Sequence, residues 1–190
     1  MTPGVEFHFP SGSRLRGLLA TLPLPVMEGR AIQVLVKPDL RAHRGALISG
    51  DGPGTPVHAG CFLRRREIVL DRALLADRGE MARIFIHELF HFAWLRLGQP
   101  KRESWKHLLA NELRGRVRGE LGWSAEARKS GLVTLPGRPW RDYSCESFCD
   151  TAGWLYSGVK SHPEFTLALR WRNRRATWFR EVFGGHRIQV

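Results

Sequence analysis

The chain has 190 residues, and 43% of them are hydrophobic, which is close to the average for globular proteins. This composition excludes a disordered chain, and the length suffices for one domain with a sizeable core. Three cysteines are too few for the disulfide framework of a small secreted protein. No segment is apolar over the length of a membrane helix, and no signal peptide is recognisable. We therefore expect a cytoplasmic protein that does not enter a membrane.

The charge of the chain is strongly positive, with a formal net charge of +12 from 30 basic and 18 acidic residues. Most of the basic residues are arginines, and short clusters of them occur at 64–66 and 170–175. One interpretation is a surface that binds a polyanion such as nucleic acid. The other is a general excess of arginine spread over the solvated surface. On balance we expect only weak, non-specific binding of nucleic acid.

Strand-like segments precede helical segments along the chain, which predicts the α+β class. The strand-like segments are residues 31–37, 58–63 and 67–70. Loops rich in Gly and Pro are predicted at residues 49–56 and 130–139. The predicted helices span residues 77–97, 103–121, 141–156 and 164–183. We expect one domain over residues 1–190, with a small sheet and the first long helix in 1–99 and a mainly helical half in 100–190.

The first predicted helix contains the sequence His87-Glu88-Leu89-Phe90-His91. The two histidines are four residues apart, so both project from one face of the helix. This spacing allows both imidazoles to bind one tetrahedral zinc ion at about 2.0–2.1 Å. Glu88 lies about 100° further around the helix, where it is better placed to take a proton from a metal-bound water than to bind the metal. The motif therefore predicts Zn²⁺ with His87 and His91 as ligands and Glu88 as the catalytic base.

The residues around this motif are apolar on nearly every side of the helix, which is typical of a buried helix. They are Ile84, Phe85, Ile86, Leu89, Phe90, Phe92, Ala93 and Trp94. Burial of a carboxylate and two imidazoles among such residues without partners is costly, and a metal ion supplies those partners. The alternative is a pair of core histidines satisfied by hydrogen bonds, with Glu88 paired to an arginine.

Residues 84–94 resemble the active-site helix of the zincin metallopeptidases. The resemblance is confined to this helix and indicates a superfamily. It implies a zincin-like fold, zinc-dependent hydrolysis of a peptide or protein substrate, and an edge strand before the helix that binds the substrate backbone. Residues 67–70 are the candidate for that strand by position. The chain departs from the metzincin branch, because Trp94 and Leu97 occupy the positions of its glycine and third histidine.

The resemblance to the gluzincin branch points to Glu146 as the third ligand. In that branch the ligand is a glutamate on a later helix, often followed four residues on by an aspartate that binds a ligating histidine. Glu146 and Asp150 match this ExxxD pattern. On a helix, Asp142, Glu146 and Asp150 form one acidic stripe, and like charges at this spacing repel unless a cation faces them. Gly153 continues that face and allows another helix to approach closely.

Other side chains are alternatives for these roles, and the acidic stripe can also be read as a solvated face. The rival third ligands are Glu112, Glu120 and Glu126. Thiolates also bind zinc, although the two cysteines beside the stripe are interpreted as small core residues. These cysteines are Cys145 and Cys149. Two residues are candidates for stabilising the oxyanion of the transition state. They are Tyr143, one turn before Glu146, and His162.

The sequence thus predicts a zinc-dependent peptidase in which Glu88 takes a proton from a zinc-bound water and returns it to the leaving amine. Two alternatives remain open. A regulatory or DNA-associated HExxH protease would use the same site, in keeping with the positive net charge. A non-catalytic, basic nucleic-acid-binding module would carry a structural zinc with four protein ligands, the fourth for example Cys149.

Overall fold

The structure is a computed structural model that describes residues 5–10, 13–132 and 137–190. Within these ranges the chain is α+β, as predicted from the order of its segments. The strands are β1 (Phe7–His8), β2 (Met27–Glu28), β3 (Ile32–Lys37), β4 (Leu40–His43), β5 (Ala46–Ser49), β6 (Thr55–Pro56), β7 (Ala59–Phe62), β8 (Glu67–Asp71) and β9 (Ile188–Gln189). The helices are α1 (Ser13–Leu19), α2 (Arg78–Arg96), α3 (Gln99–Arg114), α4 (Trp123–Ser130), α5 (Arg138–Tyr156) and α6 (Leu169–Phe183). Residues 133–136 of the predicted second loop lie outside the described residues.

The largest sheet has four strands in the order β1-β3-β8-β7. Strands β1, β3 and β8 are parallel, and β7 runs antiparallel to β8. Ile68, Val69 and Leu70 of β8 are all buried, because this strand has a neighbour on each side and is covered on both faces. This position corrects one expectation. The segment 67–70 is internal to the sheet, and β7 is the edge strand that contacts α2.

A second sheet, β5-β4-β6, was not predicted from the sequence. Strands β4 and β5 form a hairpin whose two turn residues, Arg44 and Gly45, have positive φ angles of 48° and 77°. Such a turn matches the twist of the strands and usually carries Asn-Gly or Asp-Gly. Because Arg44 occupies the first turn position, the common sequence signal of a hairpin is missing. The predicted loop at 49–56 ends in the short strand β6.

Helix α2 lies at the centre of the molecule, between the sheet on one side and α5 on the other. It begins after Asp77, whose side chain accepts a hydrogen bond from the Glu80 amide at 3.0 Å, and it ends before Leu97. Its apolar residues are buried almost all round, as the sequence predicted. These include Phe85, Ile86, Leu89, Phe90 and Phe92. The helix therefore carries its polar residues into the protein interior.

The later helices differ from the predicted ones at their boundaries. Helix α3 begins at Gln99 because Pro100 is accepted in the first turn, and it ends at Arg114, before Gly115. The predicted start of the last helix, 164–168, is instead not helical and forms turns and irregular backbone. There the amides of Thr166 and Leu167 both donate to the carbonyl oxygen of Glu120 at 2.9 Å. Helix α4 forms separately after Gly122.

The carboxyl end of the chain returns to the amino-terminal half. Strand β9 pairs in parallel with β2, with Met27 opposite Ile188. The main cluster of buried side chains extends accordingly from Leu15 to Val190 and includes residues of the sheet and of α2, α3, α5 and α6. In the described part of the chain, no helix has both the length and the apolarity needed to cross a membrane.

Candidate metal centre

Helix α2 presents the two histidines of the motif on one face. His87 and His91 point their Nε2 atoms toward each other at 3.1 Å, with ring centroids 4.9 Å apart. His87 is only 6% exposed, so the pair lies beneath the surface. The predicted projection of both imidazoles from one face of a helix is therefore present in the structure.

Helix α5 brings Glu146 to the same point. Its Oε2 atom lies 3.2 Å from Nε2 of His87 and 3.9 Å from Nε2 of His91. The two helices approach closely because Gly153 has no side chain; a Cβ atom there would lie 3.1 Å from the backbone oxygen of Arg83 on α2. The opposite face of α5 carries Phe148 into the core. Close packing of α5 on α2 thus places the carboxylate against the histidine pair.

Asp150 fixes the orientation of His87. Its Oδ1 atom lies 2.7 Å from Nδ1 of His87, and its Oδ2 atom accepts the backbone N–H of Ala125 on α4 at 2.9 Å. In the neutral imidazole, Nδ1 then carries the proton and Nε2 is left with a free lone pair. Gly122 makes room for this carboxylate, because a Cβ atom at that position would lie 2.3 Å from its Cγ.

Cys145 occupies the corresponding place behind His91. Its Sγ atom lies 3.4 Å from Nδ1 of His91. The pKa of Cys145 is lowered to about 6, first by a hydrogen bond from Cys149 and then by its contact with His91, against the effect of burial. The thiol, which the sequence analysis assigned to the core, thus lies directly against a predicted ligand.

The charges of the three converging side chains depend on one another. Burial lowers the pKa of His87, but Asp150 and Glu146 outweigh burial and raise it well above the usual histidine range. Burial likewise raises the pKa of Glu146, yet the two histidines hold it at about 2. The pKa of His91 is raised to about 9 despite burial, chiefly by Cys145. Positive charge at this point therefore stabilises the buried carboxylate.

The spacing of the three donor atoms suits one zinc ion. Ligand atoms at about 2.0–2.1 Å from a tetrahedral zinc lie roughly 3.3–3.4 Å from each other. The three separations of 3.1, 3.2 and 3.9 Å bracket that value. Among the described residues, no Lys or Arg lies within 4.0 Å of Glu146, whose ion-pair partners are the two histidines. The residues of this group therefore fit a metal ion.

Three groups of side chains in the described chain could hold a metal ion, and His91 belongs to all of them. The groups are His87, His91 and Glu146; His91, Cys145 and Cys149; and Cys61, Glu88 and His91. Burial, as the largest cause, raises the pKa of the Cys61 and Cys149 thiols, which disfavours the thiolate. Only the first group uses His87, whose orientation is set by Asp150. We therefore take the first group as the candidate metal centre.

Glu88 lies beside this centre and faces a cleft. Its carboxylate is within 4.8 Å of a ring nitrogen of His91 and accepts a hydrogen bond from Cys61 on β7. Glu88 and His87 both line a cleft of about 450 Å³. Val57, Ala59, Ile84 and Trp123 supply apolar walls, and the indole of Trp123 is 71% exposed. The centre is thus open on the side where Glu88 lies.

Arg83 also lines the cleft, but its charge is balanced. Its guanidinium pairs with Glu80 at 2.6 Å and with Glu164 at 3.0 Å. His162, a candidate for stabilising an oxyanion, binds Glu80 at 3.2 Å and belongs to this ion-pair group. His162 does not reach the group formed by His87, His91 and Glu146. Arg83 therefore adds no unpaired positive charge to the wall of the cleft.

Tyr143 does not reach the predicted site. It is fully buried, and its hydroxyl donates to Glu120 at 2.6 Å. The helical angle between Tyr143 and Glu146 permits a shared face, but Glu120 and Arg175 occupy the side to which the tyrosine turns. Its placement therefore does not fit a role in stabilising an oxyanion at the metal centre.

The rival third ligands are also placed elsewhere. Glu112 and Glu120 both bind the buried guanidinium of Arg175, at 2.6 and 2.7 Å. Glu126 is exposed on α4. Asp142, the first member of the acidic stripe, lies toward solvent near Arg138. Glu146 is the one carboxylate of these candidates that meets the histidine pair.

Several residues that line the cleft were not predicted from the sequence. Trp123 and Ser124 come from α4, and Val57 and His58 precede β7. Another missed residue is Arg128, whose charge contributes to the low pKa of Glu146. Local sequence patterns give no signal for these residues, because their position depends on how α4 and β7 pack around α2. The Gly122-Trp123 pair, an aromatic residue opening a helix after glycine, is the nearest available cue.

Comparisons of the chain with known protein families, with curated proteins and with solved structures find no match. Its function has therefore to be inferred from the arrangement of its own side chains.

Proposed function

We propose that the protein is a zinc-dependent hydrolase, and specifically a peptidase. The observation that carries this proposal is the convergence of three donor atoms, Nε2 of His87, Nε2 of His91 and Oε2 of Glu146, at 3.1–3.9 Å from one another. Two histidines and one glutamate are a common ligand set of catalytic zinc sites, which leave one position open. The cleft beside Glu88 provides that open side.

The surroundings support a zincin-like, gluzincin-type arrangement. The HExxH helix is α2, the later ExxxD helix is α5, and β7 is an antiparallel edge strand that contacts α2. In the gluzincins the aspartate of ExxxD binds a ligating histidine, and here Asp150 binds His87 at 2.7 Å. This partner orients the ring and raises its basicity as a ligand.

When bound, zinc supplies Lewis acidity that polarises a carbonyl and lowers the pKa of water. His87, His91 and Glu146 would hold it, with Asp150 behind His87. Glu88 acts as the general base: it accepts a proton from the attacking water and delivers this proton to the leaving amine. The apolar walls of the cleft exclude water around the substrate and bind its side chains. The free edge of β7 can pair with an extended peptide backbone.

A structural zinc is the main competing function, and Cys145 is the observation that favours it. A closed site would need a fourth protein ligand, and the Cys145 thiol already contacts His91. Its contact is with Nδ1, however, whereas the converging donor of His91 is Nε2. The two nitrogens point away from each other across the ring, so Cys145 supports the back of the ligand.

Glu88→Gln tests the proposed chemistry. The substitution keeps the shape and removes the proton acceptor, so hydrolysis should fall by about 10²–10⁴-fold. Zinc content should stay unchanged, because Glu88 is not one of the three ligands. The assay is cleavage of casein and of a mixed peptide library, with Glu126→Gln on the exposed face of α4 as the matched control. Full activity of Glu88→Gln, or loss of its zinc, would contradict the proposed role.

A further inference from the structure

Five cations outside the candidate metal centre lie on three neighbouring segments and are here together named the basic cap. They are Arg116, Arg118, Lys160, Arg170 and Arg174, and all five are exposed. A small apolar cluster holds their segments together, because Val117, Val159 and Trp171 pack around Leu121 and Leu167. The cap thus gathers residues from the α3–α4 connection, the α5–α6 connection and the start of α6.

The positive charge of the basic cap is not balanced. In the part of the chain that the structure describes, none of the five cap residues has a carboxylate within 4.0 Å. The two acidic residues of the same segments are engaged elsewhere. Glu120 binds Arg175 and Lys129 in the interior, and Glu164 binds Arg83 at the cleft. Within the described residues, the five charges of the cap are therefore not neutralised by ion pairs.

Aromatic contacts hold two of the five cap residues, Arg170 and Arg174. The guanidinium carbons of Arg170 and Arg174 lie 5.3 and 4.5 Å from the ring centroid of Trp171. Arg172, between them, turns inward and donates to the carbonyl oxygens of Phe165 and Leu167. Guanidiniums held in this way lose less freedom when they bind an anion.

We propose that the basic cap binds the phosphate backbone of double-stranded nucleic acid, without preference for sequence. A regular row of phosphates is complementary to several fixed guanidiniums, which bind phosphate with two parallel hydrogen bonds. Contacts to phosphates carry no sequence information, so the affinity of the cap should not depend on the sequence of the duplex. The proposal concerns a surface apart from the metal centre and does not depend on its chemistry.

Two other anionic partners fit the cap less well. A membrane-bound helix buries a broad apolar face, whereas Leu169 is the exposed large hydrophobic residue of this region, at 66%. The interface of a protein partner has an apolar centre within a polar rim. The basic cap exposes five cations and a single large hydrophobic residue, which favours nucleic acid.

The test is the salt dependence of binding to a labelled DNA duplex of mixed sequence, followed by fluorescence anisotropy. The logarithm of the affinity falls with the logarithm of salt concentration with a slope of about −0.9 per neutralised phosphate. Arg170→Gln combined with Arg174→Gln should therefore reduce the slope by about 1.8. Arg44→Gln combined with Arg64→Gln removes the same charge from exposed residues of other elements and should leave the slope unchanged.

Equal effects of the two double variants would overturn the proposal, because binding would then follow net charge alone. Absence of duplex binding by the unaltered protein at low salt would also overturn it. The proposal would also be overturned if the Arg170/Arg174 double variant lost binding only to vesicles containing anionic lipid, or only to polyglutamate. These two probes represent a membrane and an acidic protein. A duplex of different sequence should bind with the same affinity. Circular dichroism of both double variants checks that they are folded.

Discussion

Two clusters of buried polar side chains lie on different sides of α5. The first, here named the Arg175 cluster, joins Arg175 to Glu112, Glu120 and Tyr143. The second is the candidate metal centre, formed by His87, His91 and Glu146. In the first cluster each carboxylate has a guanidinium, with Tyr143 donating a further hydrogen bond. In the second, two imidazoles and a carboxylate turn their acceptor atoms toward one point.

The difference shows how the interior accommodates acidic residues. A buried carboxylate requires a cation, because its desolvation is otherwise too costly. Arg175 is that cation for Glu112 and Glu120, and together with Lys129 it outweighs the effect of burial and keeps the pKa of Glu120 low. Glu146 has two histidines in place of an arginine. A self-sufficient cluster stabilises the fold, whereas a cluster of converging donors is suited to bind an ion.

The largest expected effect on stability is at the Arg175 cluster. Arg175→Met leaves Glu112 and Glu120 buried with too little positive charge, and we expect a loss of about 3–5 kcal/mol in the free energy of unfolding. Urea unfolding of the metal-free protein measures it. Arg174→Met, next to it and exposed, is the matched control and should change stability by no more than about 0.5 kcal/mol. Equal effects of the two variants would show that the cluster is not structural.

The sequence predicts the residues of the site that are related by local helical spacing, and it does not predict partners that are distant along the chain. The HExxH spacing identifies His87, Glu88 and His91 because a helix fixes their geometry locally. Glu146 and Asp150 follow from a second local pattern, and the structure brings both to the histidines. Tyr143 shows where local sequence patterns stop being informative. Its partner Glu120 is 23 residues away, and no local pattern reveals a hydrogen bond of that kind.

A smaller effect is expected where Asp150 supports His87. Asp150→Asn keeps an acceptor but removes the charge that makes the imidazole a stronger ligand, so zinc affinity should fall by about 10–100-fold. Competition with a chromophoric chelator measures this affinity. Asp142→Asn lies two turns earlier on α5, toward solvent, and should leave the affinity unchanged. Identical affinities for the two variants would remove Asp150 from the metal centre.

The smallest effect is expected at Cys145. Because its thiol contacts Nδ1 of His91, Cys145→Ser should change zinc affinity by less than about tenfold and leave the bound stoichiometry intact. Cobalt substitution gives a second measurement, since a thiolate ligand produces strong charge-transfer absorption. That absorption in the unaltered protein, together with loss of metal from Cys145→Ser, would favour the structural site over the catalytic one.

For the fold as well, the long helices were predictable from the sequence and the long-range pairings were not. The periodic pattern of long segments predicted the bounds of α2 and α5 closely, because burial and capping act within each helix. The β4–β5 hairpin was missed because Arg44 takes a conformation that Asn or Gly usually supplies. The edge position of β7 depends on pairing with β8. The non-helical path of residues 164–168 depends on hydrogen bonds to Glu120. Such long-range pairings are set by the whole fold.

The most direct test of the metal centre is the zinc content of purified protein with and without the Glu146 carboxylate. Elemental analysis after dialysis should find about one zinc per chain in the unaltered protein and in Glu126→Gln, whose side chain is exposed on α4. Glu146→Gln should remain folded, because the amide fits the same space, but should lose most of its zinc. Retention of one tightly bound zinc by Glu146→Gln would contradict the assignment of Glu146 and with it the proposed catalytic site.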